Sequence, residues 1–429
     1  MEYFEIIGGK RLKGEIEVRG SKNATTPILA ACLLTKEKCV ISNVPLIEDV
    51  FRMIEIIESL GAKISWKGKR TIEIEAKNID ASKLDLVAVK RLRSSILLLG
   101  ALAGRLDNFK IPYPGGCIIG ARPLDTHFDA LSKMGVKIRD KKFVIEKNKK
   151  IDCYEVNAKD RHSNPVVLKE FSVTGTENAM MLAASIPGKT VIKIAAAEPH
   201  VEDLANFLVR MGAKIKGIET HTLEIWGNKN LKGAKHKIIP DANEAATFLI
   251  MGVAARSPII VRNARENNLD LVLEKLRDFG ADFKIGKNYI QVIPPENIKA
   301  VSKVDTRPYP GVPTDVQAPF GVLATQAEGE TFIHDSLYEG RFNYISEIEK
   351  MGARAKVLDA HRAIIKGPTK LKGKIITSFD LRAGASLIIA ALVAKGKTVI
   401  KGIYQVDRGY ERIEERLSKL GADIKRMKK

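Results

Sequence analysis

A five-residue phrase recurs six times along this chain and constrains what it can fold into. LGAKI begins at Leu60 and returns as MGVKI from Met134, MGAKI from Met211, FGADF from Phe279, MGARA from Met351 and LGADI from Leu420. Its glycines, Gly61, Gly135, Gly212, Gly280, Gly352 and Gly421, stand 68 to 77 residues apart, so six copies of one unit fill the 429 residues. Ahead of each glycine the apolar residues keep helical spacing: Val50, Met53, Ile54, Ile57 and Leu60 in the first copy, Leu204, Phe207, Leu208 and Met211 in the third, Leu269, Val272, Leu273, Leu276 and Phe279 in the fourth. That spacing gives a helix one apolar stripe. A glycine just past the last apolar residue suits a left-handed C-cap.

Upstream in every unit lies a second helix that is apolar nearly all round, expected over 26–34, 94–103, 179–184, 245–254, 316–325 and 383–393. A helix without a polar face has to be buried. β-rich segments such as KTVIKIAA and KTVIKGIY follow it. The unit therefore reads as helix, strand, helix, strand with further short strands, an α/β arrangement with buried helices inside and sheets outside.

With 45% hydrophobic residues the chain can bury a large core, and its length favours more than one domain. No 18-residue uncharged apolar run occurs, and MEYFEIIGGKRLKGEIEV lacks the features of a signal peptide, so a cytoplasmic location is expected. Cys32, Cys39, Cys117 and Cys153 lie far apart without a CxxC pair, which suggests neither a zinc site nor a disulfide framework. The first two and Cys153 sit in apolar or strand-like segments, where a small buried hydrophobe is the default. The formal charge of +20 comes from scattered lysines rather than basic runs. It fits a cleft for small, multiply anionic substrates; a basic repeat protein that binds nucleic acid is the competing class.

Several strings carry chemistry. PGGCIIGARPLDTH, 114–127, sets Cys117 among glycines, either at the tip of a loop or buried in a tight turn. Arg122 offers a fork suited to phosphate. Asp125 and His127 either contact a polar base or cap the helix that starts there. GSKNATTP places Lys22 and Asn23 before the first buried helix, as a capping turn or as an anion and sugar site. Arg93 precedes the second buried helix in the same way. Asp315 in PTDVQAPF is either an N-cap or a general base. Arg341 in YEGRFNYI, Asp380 and Arg382 in FDLRAGAS, and Asp407 and Arg408 in YQVDRGYERIE stand at turns leading into helices.

These strings and the six units together resemble the enolpyruvyl transferases over essentially the whole chain, and within them the branch whose acceptor is UDP-N-acetylglucosamine. GSKNA is similar to that family's GAKNA, GGCIIGARPLDTH to its Gly-Gly-Cys loop, and PTDVQA to its FPTDMQA. The resemblance implies a two-domain inside-out α/β barrel, with three units at 21–234, carrying the Cys117 loop, and three at 1–20 with 235–429. It also implies an active site in the cleft between the domains. The implied reaction moves the enolpyruvyl group of phosphoenolpyruvate to the sugar 3-hydroxyl and releases phosphate, with no cofactor, no metal, no nucleic-acid or membrane partner, and a monomer or weak homo-oligomer.

Carried over residue by residue, the resemblance gives Cys117, Asp315, Lys22 and Arg408 catalytic roles. Cys117 becomes a loop acid and Asp315 the group that activates the 3-hydroxyl. Lys22, Arg93, Arg122, Arg341, Arg382 and Arg408 are implied to bind phosphoenolpyruvate. Asn23, Arg93, Pro123, Leu124, Asp125, His127, Ser172, Val173, Gly175, Asp315, Leu337 and Asp380 are implied to bind the UDP-sugar. Four positions depart from the family pattern: Glu48 stands where some relatives have a lysine, Glu170 where a basic residue is usual, Thr174 replaces a glycine, and Gln405 replaces a histidine. They leave room for a different UDP-sugar. The shikimate-phosphate branch of the same fold, which lacks the Gly-Gly-Cys loop, is the nearest enzymatic alternative.

Overall fold

A computed structural model describes residues 2–115, 123–146 and 149–428, with side chains left out of the description over 141–149. All six repeat glycines have positive φ, between 82° and 108°. Each closes its helix in one way. The N–H of the following residue reaches the carbonyl five back: Ala62 to Ile57, Val136 to Leu131, Ala213 to Leu208, Ala281 to Leu276, Ala353 to Ile348 and Ala422 to Leu417, at 3.0–3.2 Å. This is the bond of a Schellman cap, and it requires the left-handed residue that glycine adopts without penalty. The capped surface helices are Glu48–Ser59, Asp125–Lys133, Pro199–Arg210, Asp270–Asp278, Asn343–Lys350 and Ile413–Ser418. Their stripes face the core, with Val50, Met53, Leu204, Phe207, Val272 and Leu276 all buried.

The apolar helices are Lys22–Ala31, Leu98–Ala103, Val173–Ser185, Ala242–Ala254, Gln317–Ala324 and Leu381–Val393. The first, third, fourth and sixth begin earlier than their apolar runs suggest, because their opening turns are polar. The second and fifth are preceded by 3-10 turns at Arg93–Leu97 and Thr314–Val316. Periodicity of apolar residues cannot register a polar first turn, although this is where the candidate site residues lie.

Chain contacts separate two bodies, residues 20–115 with 123–239, and residues 2–19 with 240–428. Each has its own apolar core. In the second body the three buried helices pack pairwise; in the first, Leu98–Ala103 packs against both others. Strands such as Lys38–Ser42 and Gly188–Lys193 alternate buried and more exposed residues, so each sheet turns one face to the helices and the other outward.

Among the described residues, five of the six sheets have four strands. In each of them a short strand runs parallel to the strand that follows the buried helix: Lys235–Lys237 beside Lys38–Ser42, Val166–Val167 beside Gly188–Lys193, Gly14–Glu17 beside Ile259–Arg262, Lys303–Thr306 beside Gly329–Asp335, and Ile375–Thr377 beside Lys397–Lys401. The sixth unit ends with Asp423–Lys428, and the strand its sheet would otherwise lack comes from the other end of the chain. Glu2–Ile7 pairs antiparallel with both Lys397–Lys401 and Asp423–Lys428. Among the described residues no helix is long and apolar enough to cross a membrane.

Candidate active site

In the first body Lys22 and Asn23 open the first buried helix, whose N-cap is Ser21. Lys22 Nζ lies 3.4 Å from Asp49 Oδ2, a buried carboxylate on the neighbouring surface helix. Arg93 opens the 3-10 turn before the second buried helix. Ser172 caps the third: its Oγ accepts from Gly175 N at 3.2 Å, with Val173 as the first helical residue. Pro123 and Asp125 are exposed and Leu124 half-buried at the start of Asp125–Lys133. Cys117 and Arg122 lie outside the described residues.

His127 is buried, and both its ring nitrogens have partners. Asn178 Nδ2 donates to Nδ1 at 2.9 Å, which leaves the proton on Nε2, 3.1 Å from Thr174 Oγ1. Burial, aided by the nearby Arg93 charge, pushes its pKa down to about 3, so the imidazole is neutral. Two of the departures from the family pattern thus act together. Thr174 meets His127, and Glu170 accepts from the Thr126 hydroxyl at 3.0 Å, joining the segment at 170–174 to the first turn that follows the Cys117 loop.

The second body gathers its charges around Asp315. Arg341 NH2 donates to Oδ1 at 2.8 Å, while Arg382 Nε and Asn243 Nδ2 donate to Oδ2 at 3.0 and 3.1 Å. Arg341 and Arg382 are both buried. Burial opposes the charge on Arg382, but Asp315, with Tyr410 and Asp241, outweighs it and raises the pKa above the ordinary arginine value. Arg382 NH1 also donates to Tyr410 Oη at 3.2 Å, which meets Thr247 Oγ1 at 2.9 Å. Asp380 caps the sixth buried helix, its Oδ1 accepting from Arg382 N and Ala383 N. Arg408 NH1 donates to Gln405 Oε1 at 3.1 Å, so the glutamine in the histidine's place serves as an acceptor. Asp407 pairs instead with Arg426. Leu337 is exposed, on a turn whose N–H groups are held by Asp335.

The polar residues follow a register. The second residue of the opening turn is Asn23, Ser94 and Thr174 in the first body and Asn243, Asp315 and Arg382 in the second. In the second body these three side chains hydrogen-bond to one another through Asp315. Three helix N-termini at one place, with two buried guanidinium groups beside them, favour anions.

A family model described as EPSP synthase (3-phosphoshikimate 1-carboxyvinyltransferase) matches residues 6–417. The UDP-N-acetylglucosamine 1-carboxyvinyltransferase of Koribacter versatilis (strain Ellin345) is 39% identical over 430 residues, spanning 100% of this chain and 97% of its own. The one numbered 2 from Caldanaerobacter subterraneus subsp. tengcongensis is 41% identical over 427 residues and 100% of both chains. The chain belongs to the enolpyruvyl transferase family. Among solved structures, the enolpyruvyl transferase NikO from Streptomyces tendae superposes with a TM-score of 0.87 at 26% identity over 99% of both chains. EPSP synthase from Acinetobacter baumannii shares the fold at a TM-score of 0.72 and 18% identity, over 100% of both. The α/β architecture of buried helices and outer sheets is thus the enolpyruvyl transferase fold.

Sequence reasoning missed Asn243, Tyr410, Glu177 and Glu198 in this enolpyruvyl transferase. Repeat register could have found Asn243, because it follows its N-cap Asp241 by two residues just as Asn23 follows Ser21. The two glutamates give no such signal; only packing sets them within electrostatic reach of each other.

Proposed function

We propose that this protein transfers the enolpyruvyl group of phosphoenolpyruvate to the 3-hydroxyl of UDP-N-acetylglucosamine with release of phosphate, the first committed step of peptidoglycan precursor synthesis. The observation that carries this reading is identity of 39% and 41% over the full chain to proteins named UDP-N-acetylglucosamine 1-carboxyvinyltransferase. It rests further on the chemistry of the residues. Phosphoenolpyruvate brings a carboxylate and a phosphate. Arg341 Nε is a buried N–H without a hydrogen-bond partner among the described residues, and such a donor suits those anions; Arg382 NH2 lies 3.0 Å from Asp315 Oδ2.

Asp315, its two oxygens fixed by Arg341, Arg382 and Asn243, takes the proton of the sugar 3-hydroxyl. An acid on the Cys117 loop protonates C3 of phosphoenolpyruvate. Positive charge then develops at C2, the sugar oxygen adds there, and loss of phosphate with a C3 proton leaves the enolpyruvyl ether. Lys22, Arg93, Arg122, Arg341, Arg382 and Arg408 stabilise the anionic groups throughout. Asn23, Pro123, Leu124, Asp125, Ser172, Val173, Gly175, Leu337 and Asp380 serve the UDP-sugar, and His127 supports that site as a neutral ring. On this reading the enzyme works in the cytoplasm as a monomer or weak homo-oligomer.

The test is phosphate release from phosphoenolpyruvate across UDP-sugars and shikimate 3-phosphate, wild type beside Cys117→Ser. Release with UDP-N-acetylglucosamine, reduced in the variant, is expected. Release with shikimate 3-phosphate alone would overturn the substrate assignment.

A further inference from the structure

The first body holds two carboxyl groups, one buried and one half-buried, that the reaction outlined above does not use. Glu177 lies in the second turn of the third buried helix at 1% exposure, and its Oε1 is buried without a hydrogen-bond partner among the described residues. Glu198, the residue before the surface helix Pro199–Arg210, has its Oε2 in the same condition. The two are brought together by packing: that surface helix contacts both the third buried helix and Lys22–Ala31. Ala196 N also donates to Thr176 Oγ1 at 2.9 Å, fixing the strand exit just before Glu198 against the residue next to Glu177. Lys22, in the opening turn of the first buried helix, is within electrostatic reach of Glu177. Lys22 also meets Asp49 at 3.4 Å, long for an ion pair.

We propose that Glu177, set beside Glu198, is a positioning residue that controls how much of the Lys22 charge is offered to an anionic substrate. The physical reason is competition. A substrate phosphate or carboxylate has to draw the ammonium away from the protein's own carboxylates. A neutral Glu177 takes no part in that contest, whereas an ionised one adds negative charge within electrostatic reach of Lys22. Burial, reinforced by Glu198 and opposed by Lys22, raises the Glu177 pKa well above the usual carboxylate value. The acid therefore keeps its proton to higher pH than an ordinary carboxyl, and ionises as pH rises further. The titratable and charged groups that face it are Glu198 from the start of its helix, Lys22 from the first buried helix and, beyond Lys22, Asp49 from Glu48–Ser59.

This inference rests on the assignment of Lys22 to phosphoenolpyruvate, and its experiment separates the two. KM for phosphoenolpyruvate, KM for the UDP-sugar and kcat are measured from pH 6 to 9 for wild type, Glu177→Gln, Glu177→Met and Glu198→Gln. Wild-type KM for phosphoenolpyruvate climbs at the alkaline end. Both Glu177 variants flatten that climb by about tenfold, the effect of ~1.4 kcal/mol, while KM for the UDP-sugar follows wild type. The two substitutions differ in polarity, so a folding failure of one leaves the other to decide.

In parallel, the rate at which Lys22 is acylated by an amine reagent is followed by mass spectrometry against pH. In the Glu177 variants Lys22 becomes reactive at lower pH than in wild type, a result that does not depend on turnover. An unchanged alkaline climb in both variants, flattening in Glu198→Gln alone, or an unshifted Lys22 profile overturns the proposal. Shifted acylation in a protein that releases no phosphate from phosphoenolpyruvate overturns the substrate reading and leaves the positioning role standing.

Discussion

Equivalent turns in the two bodies carry different side chains, and the contrast separates frame from chemistry. In the second body the second residues of the three opening turns are an amide, a carboxylate and a guanidinium, joined through Asp315. In the first they are Asn23, Ser94 and Thr174, all neutral, and charge enters from adjoining positions: Lys22 and Arg93 one residue earlier, Asp49, Glu177 and Glu198 from neighbouring elements. The second body's charges are matched before any ligand arrives, so their geometry is set by the fold. In the first, a buried acid within electrostatic reach of Lys22 leaves the field open to adjustment. One helical frame thus supports a fixed cluster in one half and a tunable one in the other.

The largest effect expected from breaking this contrast is at Asp315. Asp315→Ala removes the centre of the matched cluster and leaves Arg341 and Arg382 buried without their shared carboxylate, a loss of about 3–5 kcal/mol in denaturant unfolding. Phosphate release falls by roughly 10²–10⁴ as the base is lost. Asp315→Asn keeps the shape and loses the charge, so it separates the two readouts: activity falls as far while stability falls less. An alanine variant as stable as wild type would show that the arginines do not depend on Asp315.

The frame was far more legible in the sequence than the site. Six glycines after amphipathic stripes specify six capped helices, because the left-handed cap makes a demand that a single residue type meets best. Glu2–Ile7 gave no such sign of joining the sixth unit, since strand pairing between distant ends leaves no local periodicity. Lys22, Arg93 and Asp315 could be read from the strings around them. His127 reads as a base contact by resemblance; that Asn178 and Thr174 meet its two ring nitrogens gives no local sequence signal, and the second contact comes from the chain's own departure at position 174. Glu177 looks like any polar residue on a helix until its burial is known.

A smaller effect tests whether the first body's neutral positions bear structural weight. Thr174→Val leaves the buried Nε2–H of His127 unpaired, at a cost of about 1–3 kcal/mol. The same imidazole gives a pH signature. Its folded pKa, about 3, lies below that of an unfolded histidine, so between them the unfolded chain binds more protons. Its contribution to stability is present above the unfolded value and is lost as pH falls from about 6.5 toward 3. His127→Gln removes that part of the acid slope in urea unfolding at stepped pH; an unchanged slope would place the titration elsewhere.

The smallest effect concerns the frame itself and is expected to be equal in the two bodies. Gly212 and Gly352 occupy the same cap position, at φ of 108° and 99°. A Cβ on Gly212 would come no closer than 3.4 Å to its nearest neighbour, Asn228 Nδ2, and one on Gly352 would meet nothing within 4 Å. Alanine at either therefore costs only the left-handed backbone penalty, about 1 kcal/mol, with no loss of phosphate release. Gly135 differs, because a Cβ there would lie 2.2 Å from the Asp160 carbonyl oxygen, and Gly135→Ala costs more than the other two. Equal losses at Gly212 and Gly352 in thermal unfolding would confirm that the bodies share one frame; a marked inequality would mean that the caps are supported differently, and that the contrast between the halves reaches below their side chains into the fold.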